Sequence, residues 1–371
     1  MLPRGALSTG LGVSTDRRSD RPRAAHAPVS SRDTARMDTS NSAQARTAHH
    51  CPARLSTYAE LARGGLTHDA IVRLVETGEL RRVRTGVYAH RAGDSGPDGR
   101  RPAEPAHERR RRELVERTLA AARATEPGTV FSHASALALY GLPLHGISLG
   151  RPTATRHREG SGSRRSSALT VANLPLDDGV VEMLDGIPVT SPARTIIDVA
   201  RSSGLESGVC AADQAIRRGL CTRFDLQVQA DAAKGRTGVA RARALPERTS
   251  GLAESVLETL IRLILVLAGL PEPELQVRLQ VRSGKRFRVD FFWPQWRLIG
   301  EADGFGKYGT DPEEIRQNWL AERHRQTQLE EVGYVVIRWT WADLKDPGRI
   351  VRRVREEMRR QEQLGLGPAA A

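Results

Sequence analysis

Two short apolar strands around one tight turn, with carboxylates at mirror-image positions, constrain this chain more than any other stretch of it. Strand-like runs at 287–292 and 297–302 meet at Pro294-Gln-Trp. With the turn centred between Gln295 and Trp296, Asp290 pairs directly with Glu301. Opposed residues of this kind hold their Cβ atoms roughly 4.5–5.5 Å apart, so two ionised acids there repel. Asp303, two residues past Glu301, projects from the same face of its strand. Phe291, Phe292, Leu298 and Ile299 place the hairpin inside a sheet rather than at the surface. A one-residue slip of register would send the acids to opposite faces.

Three converging acids need a cation, and an all-oxygen ligand set suits Mg²⁺ or Mn²⁺. Asp290, Glu301 and Asp303 are therefore the expected metal ligands. Lys307 follows the second strand, where it can neutralise charge on a reacting phosphate. Upstream, an apolar helix over 253–268 carries Glu254 and Glu258 on one side and Leu257, Ile261, Ile264 and Leu265 on the other. A further strand is expected at 275–281. Downstream, Asp311-Pro-Glu-Glu opens a helix with Ile315, Trp319, Leu329 and Val332 on its buried face and Gly333 at its end. A strand at 334–339 and a basic helix at 347–360 follow.

Near the other end, a short helix at 58–63 stops at Gly64-Gly65, and Thr67 caps a second helix with Asp69 in its first turn. Ile71, Leu74 and Val75 form its apolar stripe, and Gly78 ends it. A basic hairpin turning at Thr85-Gly86 comes next. Helix, helix, hairpin is the outline of a winged helix; the alternative is a small helical domain with an ordinary solvated hairpin. In the first reading Arg73 lies on the groove helix while Arg81, Arg82 and Arg84 meet phosphates.

The expected architecture is α+β and multidomain: a disordered tail (1–50, with Met37 an alternative start), a winged helix (51–92), a linker (93–106), an α/β middle domain (107–245) and a C-terminal α/β domain (250–362). In the middle domain Ser132 opens a helix with lone His133 beside it, and Arg194 and Asp198 form an i, i+4 pair. The chain has 57 Lys+Arg against 44 Asp+Glu, a net charge of +13. That surplus favours polyanionic partners, nucleic acid first. No apolar run is long enough to span a membrane, and the N-terminus has no secretory h-region. Cys51, Cys210 and Cys221 offer no disulfide framework, which fits a cytoplasmic protein.

Gly65-Leu, Gly78-Glu-Leu, Arg84-Thr-Gly-Val-Tyr, Ser132-His-Ala-Ser-Ala and Pro192-Ala-Arg-Thr-Ile-Ile-Asp together resemble the AbiEi-type antitoxins of type IV toxin–antitoxin systems over roughly 55–240. That resemblance implies DNA binding, repression of the protein's own promoter and a cognate toxin as partner. Asp290, Glu301-Ala-Asp303-Gly and Gly333-Tyr-Val-Val-Ile-Arg-Trp resemble the PD-(D/E)XK nucleases, most closely those of very-short-patch repair. This implies a restriction-endonuclease-like fold, Asp290 and Glu301 as metal ligands and Glu254 as the acid of the leading helix. The family's Lys, two residues past its acid, is replaced here by Asp303, leaving Lys307 as its stand-in. Three functions stay open: an antitoxin-like DNA binder with an active endonuclease, a repressor whose nuclease fold only holds DNA, and a toxin-neutralising module.

Overall fold

The computed structural model describes residues 55–90, 104–157, 162–165, 169–177, 179–304 and 312–367, all within the unit Ser40–Ala371. The expected tail, Cys51, most of the expected linker, Lys307 and Asp311 lie outside the described residues, as do the side chains of Ile315 and Trp319.

Helix α1 (Tyr58–Arg63) begins in a capping box. The Glu60 N–H donates to Thr57 Oγ1 at 3.1 Å, and the Thr57 N–H donates back to Glu60 at 2.7 Å. Thr67 caps α2 (His68–Glu76) by accepting from the Ala70 N–H. Strands β2 (Leu80–Arg84) and β3 (Val87–His90) form the expected hairpin, with Gly86 at φ 74° in the turn. A strand too short to show periodicity, β1 (Leu55–Thr57), completes a sheet of order β1-β3-β2. Leu61, Ile71 and Leu80 pack together on the α1–α2 side. Leu55, Val87 and Ala89 pack with Ala120 of α3 (Ala106–Ala122). The small sheet is thus covered by helices on both sides.

The middle segment is a mixed sheet of order β6-β7-β5-β4-β9-β8. Its strands are β4 (Val130–Phe131), β5 (Thr153–Arg156), β6 (Gly162–Arg165), β7 (Thr170–Asn173), β8 (Val181–Leu184) and β9 (Ile187–Thr190). Helices α4 (His133–Leu139), α5 (Pro192–Ser203), α6 (Leu205–Arg217), α7 (Arg223–Ala232) and α8 (Val239–Ala244) accompany it. Leu114, Phe131, Leu137, Ile196 and Val209 are fully buried in its core. Ser132 is the N-cap of α4 but makes no side-chain cap bond. Its hydroxyl instead meets His133 Nδ1 at 2.9 Å and accepts from the Thr155 hydroxyl. Arg194 and Asp198 do form the expected i, i+4 pair, but it is buried rather than a modest helix-stabilising pair. They are 2% and 1% exposed, 2.7 Å apart, and Arg201 takes the other carboxylate oxygen at 2.7 Å. Removing one partner of such a pair costs about 3–5 kcal/mol.

The C-terminal segment runs α9 (Val256–Leu267), β10 (Glu274–Gln280), β11 (Arg286–Trp293), β12 (Leu298–Asp303), α10 (Pro312–Glu331), β13 (Val335–Thr340) and α11 (Pro347–Gln363). The sheet order is β10-β11-β12-β13. The first three strands are antiparallel, and α10 carries the chain over to β13, parallel to β12. One apolar cluster (Leu257, Phe291, Trp339, Ile350) joins the sheet to α9 and α11; another (Val289, Phe292, Ile299, Leu329) joins it to α10. Among the described residues no helix is long and apolar enough to cross a membrane.

Phe291 and Trp339 meet edge-to-face, with ring centroids 5.8 Å apart. Gly300 makes room for them: a Cβ there would lie 2.8 Å from Trp339 Cη2 and 3.1 Å from Phe291 Cβ. Overpacking of this sort costs about 1–3 kcal/mol. Gly300→Ala is expected to lower the melting temperature by several degrees in a thermal scan followed by circular dichroism, and an unchanged temperature would mean that the Trp339 ring is free to move aside.

Candidate functional site

The hairpin register is the expected one. Phe291 faces Gly300, Phe292 faces Ile299 and Trp293 faces Leu298, so the next step sets Asp290 opposite Glu301. On the other side of β11, Leu275 faces Phe291 and Val277 faces Val289, which leaves Gln276 opposite Asp290. Glu301 in turn faces Arg338 on β13. Gln276, Asp290, Glu301 and Arg338 therefore form one polar row across all four strands. Gln276 holds φ 56°, a left-handed backbone that a non-glycine residue rarely adopts. Such strain persists only where surrounding structure enforces it, and it clusters at functional sites.

Each carboxylate in the row has its own donor. Asp290 accepts from the Ala302 N–H at 2.8 Å and from Gln276 Nε2 at 3.2 Å. The same Gln276 Nε2 donates to Glu258 at 2.8 Å, while Gln276 Oε1 is buried without a partner. Glu301, 4% exposed, is paired with Arg325 of α10 at 2.7 Å. Asp303 pairs with Arg338 at 3.4 Å, and Glu322 bridges Arg325 and Arg338. Asp290 and Glu301 are thus brought side by side, whereas Asp303 turns to a different cation. Among the described residues no group of three or more His, Cys, Asp or Glu is placed to hold a metal ion. Arg325, which sequence reasoning missed, supplies the charge that the buried Glu301 needs.

Glu254 lies just ahead of α9, between Arg217 at 2.8 Å and Arg288 at 2.6 Å. The acid that α9 turns toward the row is Glu258, 6% exposed. Burial, then the nearby charge of Asp290, raises its pKa above the usual carboxylate value, against the hydrogen bond from the Glu254 N–H. The signal for preferring Glu258 was available: Ser255 is a good N-cap, and it accepts from the Glu258 N–H. That cap starts the helix after Glu254.

The hairpin arginines are divided. Arg81 forms an ion pair with Glu116 of α3, and Arg84 reaches the Ala120 carbonyl at 3.4 Å. Both are engaged in docking the small sheet. Arg82 is exposed and donates to the Thr85 hydroxyl at 3.5 Å, and Arg73 is exposed on α2.

Burial lifts the Glu301 carboxyl to about 7 against the pull of Arg325, with Asp290 and Glu322 adding to the rise. A folded value above the ordinary 4.5 means that the folded state binds this proton more tightly. Its stabilising contribution is complete below 4.5 and is lost as pH rises through about 7. Glu301→Gln cannot ionise, so its stability relative to the parent is expected to rise between about pH 5 and about pH 8. Denaturant melts at the two pH values measure this, and a constant difference would show that Glu301 titrates as it does in the unfolded chain.

Residues 129–248, spanning the middle sheet and its helices, match the AbiEi antitoxin C-terminal domain. The chain is also 31% identical over 186 residues to two uncharacterized proteins of Mycobacterium tuberculosis, MT2308 and Rv2248, an alignment covering 50% of this chain and 67% of each of theirs. The chain therefore belongs to the family of these mycobacterial proteins and carries an AbiEi antitoxin C-terminal domain at its centre.

Proposed function

We propose that this protein is a DNA-binding regulator of the antitoxin kind. In this reading α2 and the β2–β3 hairpin engage duplex DNA as a winged helix, and the AbiEi domain presents a surface to a cognate toxin. The observation that carries it is the joining of an amphipathic helix and basic hairpin, with Arg73 and Arg82 exposed, to an AbiEi antitoxin domain. In a mobility-shift titration with duplex DNA, Arg73→Ala with Arg82→Ala should weaken binding across sequences. The salt dependence should also become shallower, by about 0.9 unit of slope per lost phosphate contact. Arg81→Ala should mainly lower the melting temperature, because it removes one of the two cations, Arg81 and Arg112, that hold the buried Glu116. DNA binding untouched by the first pair would remove helix and hairpin from the interface.

A second reading, a metal-dependent endonuclease with a restriction-endonuclease-like C-terminal domain, is favoured by the strained Gln276 and its unpartnered buried Oε1 beside two carboxylates. The helix–three strands–helix–strand order agrees with it. Glu258, Asp290 and Glu301 would hold Mg²⁺ or Mn²⁺, which would polarise a phosphodiester, and Arg325 would have to release Glu301. Either ion should then raise the melting temperature, with the gain lost in Asp290→Ala. Without any metal-dependent gain or nicking of DNA, the fold serves binding alone.

A further inference from the structure

A cleft of about 1270 Å³ is lined by α3, by residues 143–150 of the middle segment and by three residues of the C-terminal segment. Small-molecule sites measure roughly 300–1,000 Å³, so its size suits an extended ligand. The α3 wall is basic: Arg110, Arg111 and Arg117 line it beside His107, with Glu113 as the acid among them. Arg110 is exposed, and neither it nor Arg111 makes a hydrogen bond or ion pair among the described residues. Arg117 donates to the Leu149 carbonyl at 2.8 Å and leaves its Nε–H buried with no acceptor. Arg218 stands near this wall; burial, and then the charge of Arg111, lowers its pKa. The α3 wall thus gathers positive charge that the protein itself does not cancel.

The opposite wall is the business end of the sheet. Gly304 follows Asp303 at the end of β12, Trp341 follows Thr340 at the end of β13, and Val256 opens α9 two residues before Glu258. β12 and β13 are parallel, so both carboxyl ends open into the cleft, where sheets of this kind take their ligands. Trp341 is only partly buried. Cations spaced along one helix, with an aromatic ring lining the same cleft, suit a backbone of repeated phosphates whose bases can stack.

We propose that this cleft binds a single nucleic-acid strand, with its phosphates on Arg110 and Arg111 and a base against Trp341. The inference rests on the DNA-binding reading only for the class of ligand. It assigns the strand to a surface separate from α2 and the β2–β3 hairpin.

The test uses the full chain and a fluorescein-labelled oligothymidylate, read by anisotropy over a salt series, with a labelled duplex in parallel. Arg110→Glu with Arg111→Glu should weaken strand binding at least tenfold. The slope of log K against log salt should become shallower by about 1.4, at about 0.7 per phosphate contact on a single strand. Duplex binding should follow Arg73 and Arg82 instead, so loss of duplex binding in Arg73→Ala with Arg82→Ala tests the earlier reading separately. Should the reversed pair unfold the chain, photocrosslinking of a 4-thiothymidine strand to the parent should label the peptide holding residues 107–117 or Trp341. The proposal fails if the reversed pair binds the strand like the parent, or if the crosslinks fall only outside those peptides. It also fails if polyglutamate displaces the strand at equal charge concentration, which would make the cleft a dock for an acidic protein.

Discussion

The arrangement of the middle and C-terminal segments depends on one buried ion pair, between Asp213 of α6 and Arg262 of α9. Asp213 is 0% exposed and Arg262 2%, and both carboxylate oxygens are occupied. One accepts the Ser250 N–H at 2.7 Å and the Gly251 N–H at 3.2 Å; the other accepts Thr259 at 2.9 Å and Arg262 at 3.3 Å. Arg262 also donates to the Arg248 carbonyl and to Glu272. A charge this deeply buried needs bonded partners, and the bonds here come from both segments and the chain between them, leaving only Arg262 Nε without an acceptor among the described residues. Around the pair, α9 serves two cores at once. Leu263 packs into the middle core, while Leu257, Ile261 and Leu265 pack into the C-terminal one. Middle and C-terminal segments are therefore tied together through α9, by one buried network and two cores.

That sharing explains why parts of the chain could be read from sequence and parts could not. The hairpin could, because an apolar pattern and a single Pro-Gln-Trp turn leave one register that buries Phe291, Leu298 and Ile299 together. Once that register is fixed, the Asp290–Glu301 juxtaposition follows from counting. The partners of those acids could not be read, since Gln276, Arg325 and Arg338 reach them through sheet pairing and a helix crossover. Arg325 sits 24 residues beyond Glu301, and no local period points from one to the other. The choice between Glu254 and Glu258 turned on one cap, because an apolar helix buried on two sides gives little periodicity from which to locate its start.

The surplus of arginine gives a second case. A net +13 says that the protein favours polyanions, but not where. Arg81, Arg112, Arg194, Arg201, Arg262, Arg325 and Arg338 are all paired with acids, and several of them hold segments together. Of the four hairpin and helix arginines expected to meet DNA, Arg81 and Arg84 are engaged by α3, Arg81 by Glu116 and Arg84 by the Ala120 carbonyl. A side chain bonded to its own protein has little left to offer a phosphate, so the working cations are those left unpaired, not those most densely clustered in sequence.

The α3 arginines share their cleft with Gly304 and Trp341, the residues that follow the strands carrying Glu301, Asp303 and Arg338. Glu258, Asp290, Glu301, Asp303 and Glu322 outnumber Arg325 and Arg338, so the row keeps negative charge even with Glu301 lifted to about 7. A phosphodiester lodged beside Gly304 would add more. Repulsion of that kind is relieved in two ways, by further protonation of the buried carboxylates or by a cation bound between acid and phosphate. Because linkage is reciprocal, whichever relief operates must tighten the hold on the strand as much as the strand tightens the hold on it. Protonation would make strand binding stronger as pH falls, and a cation would make it stronger as Mg²⁺ or Mn²⁺ is added. The sign of the charge at the acidic row is thus set by which of these reliefs is present.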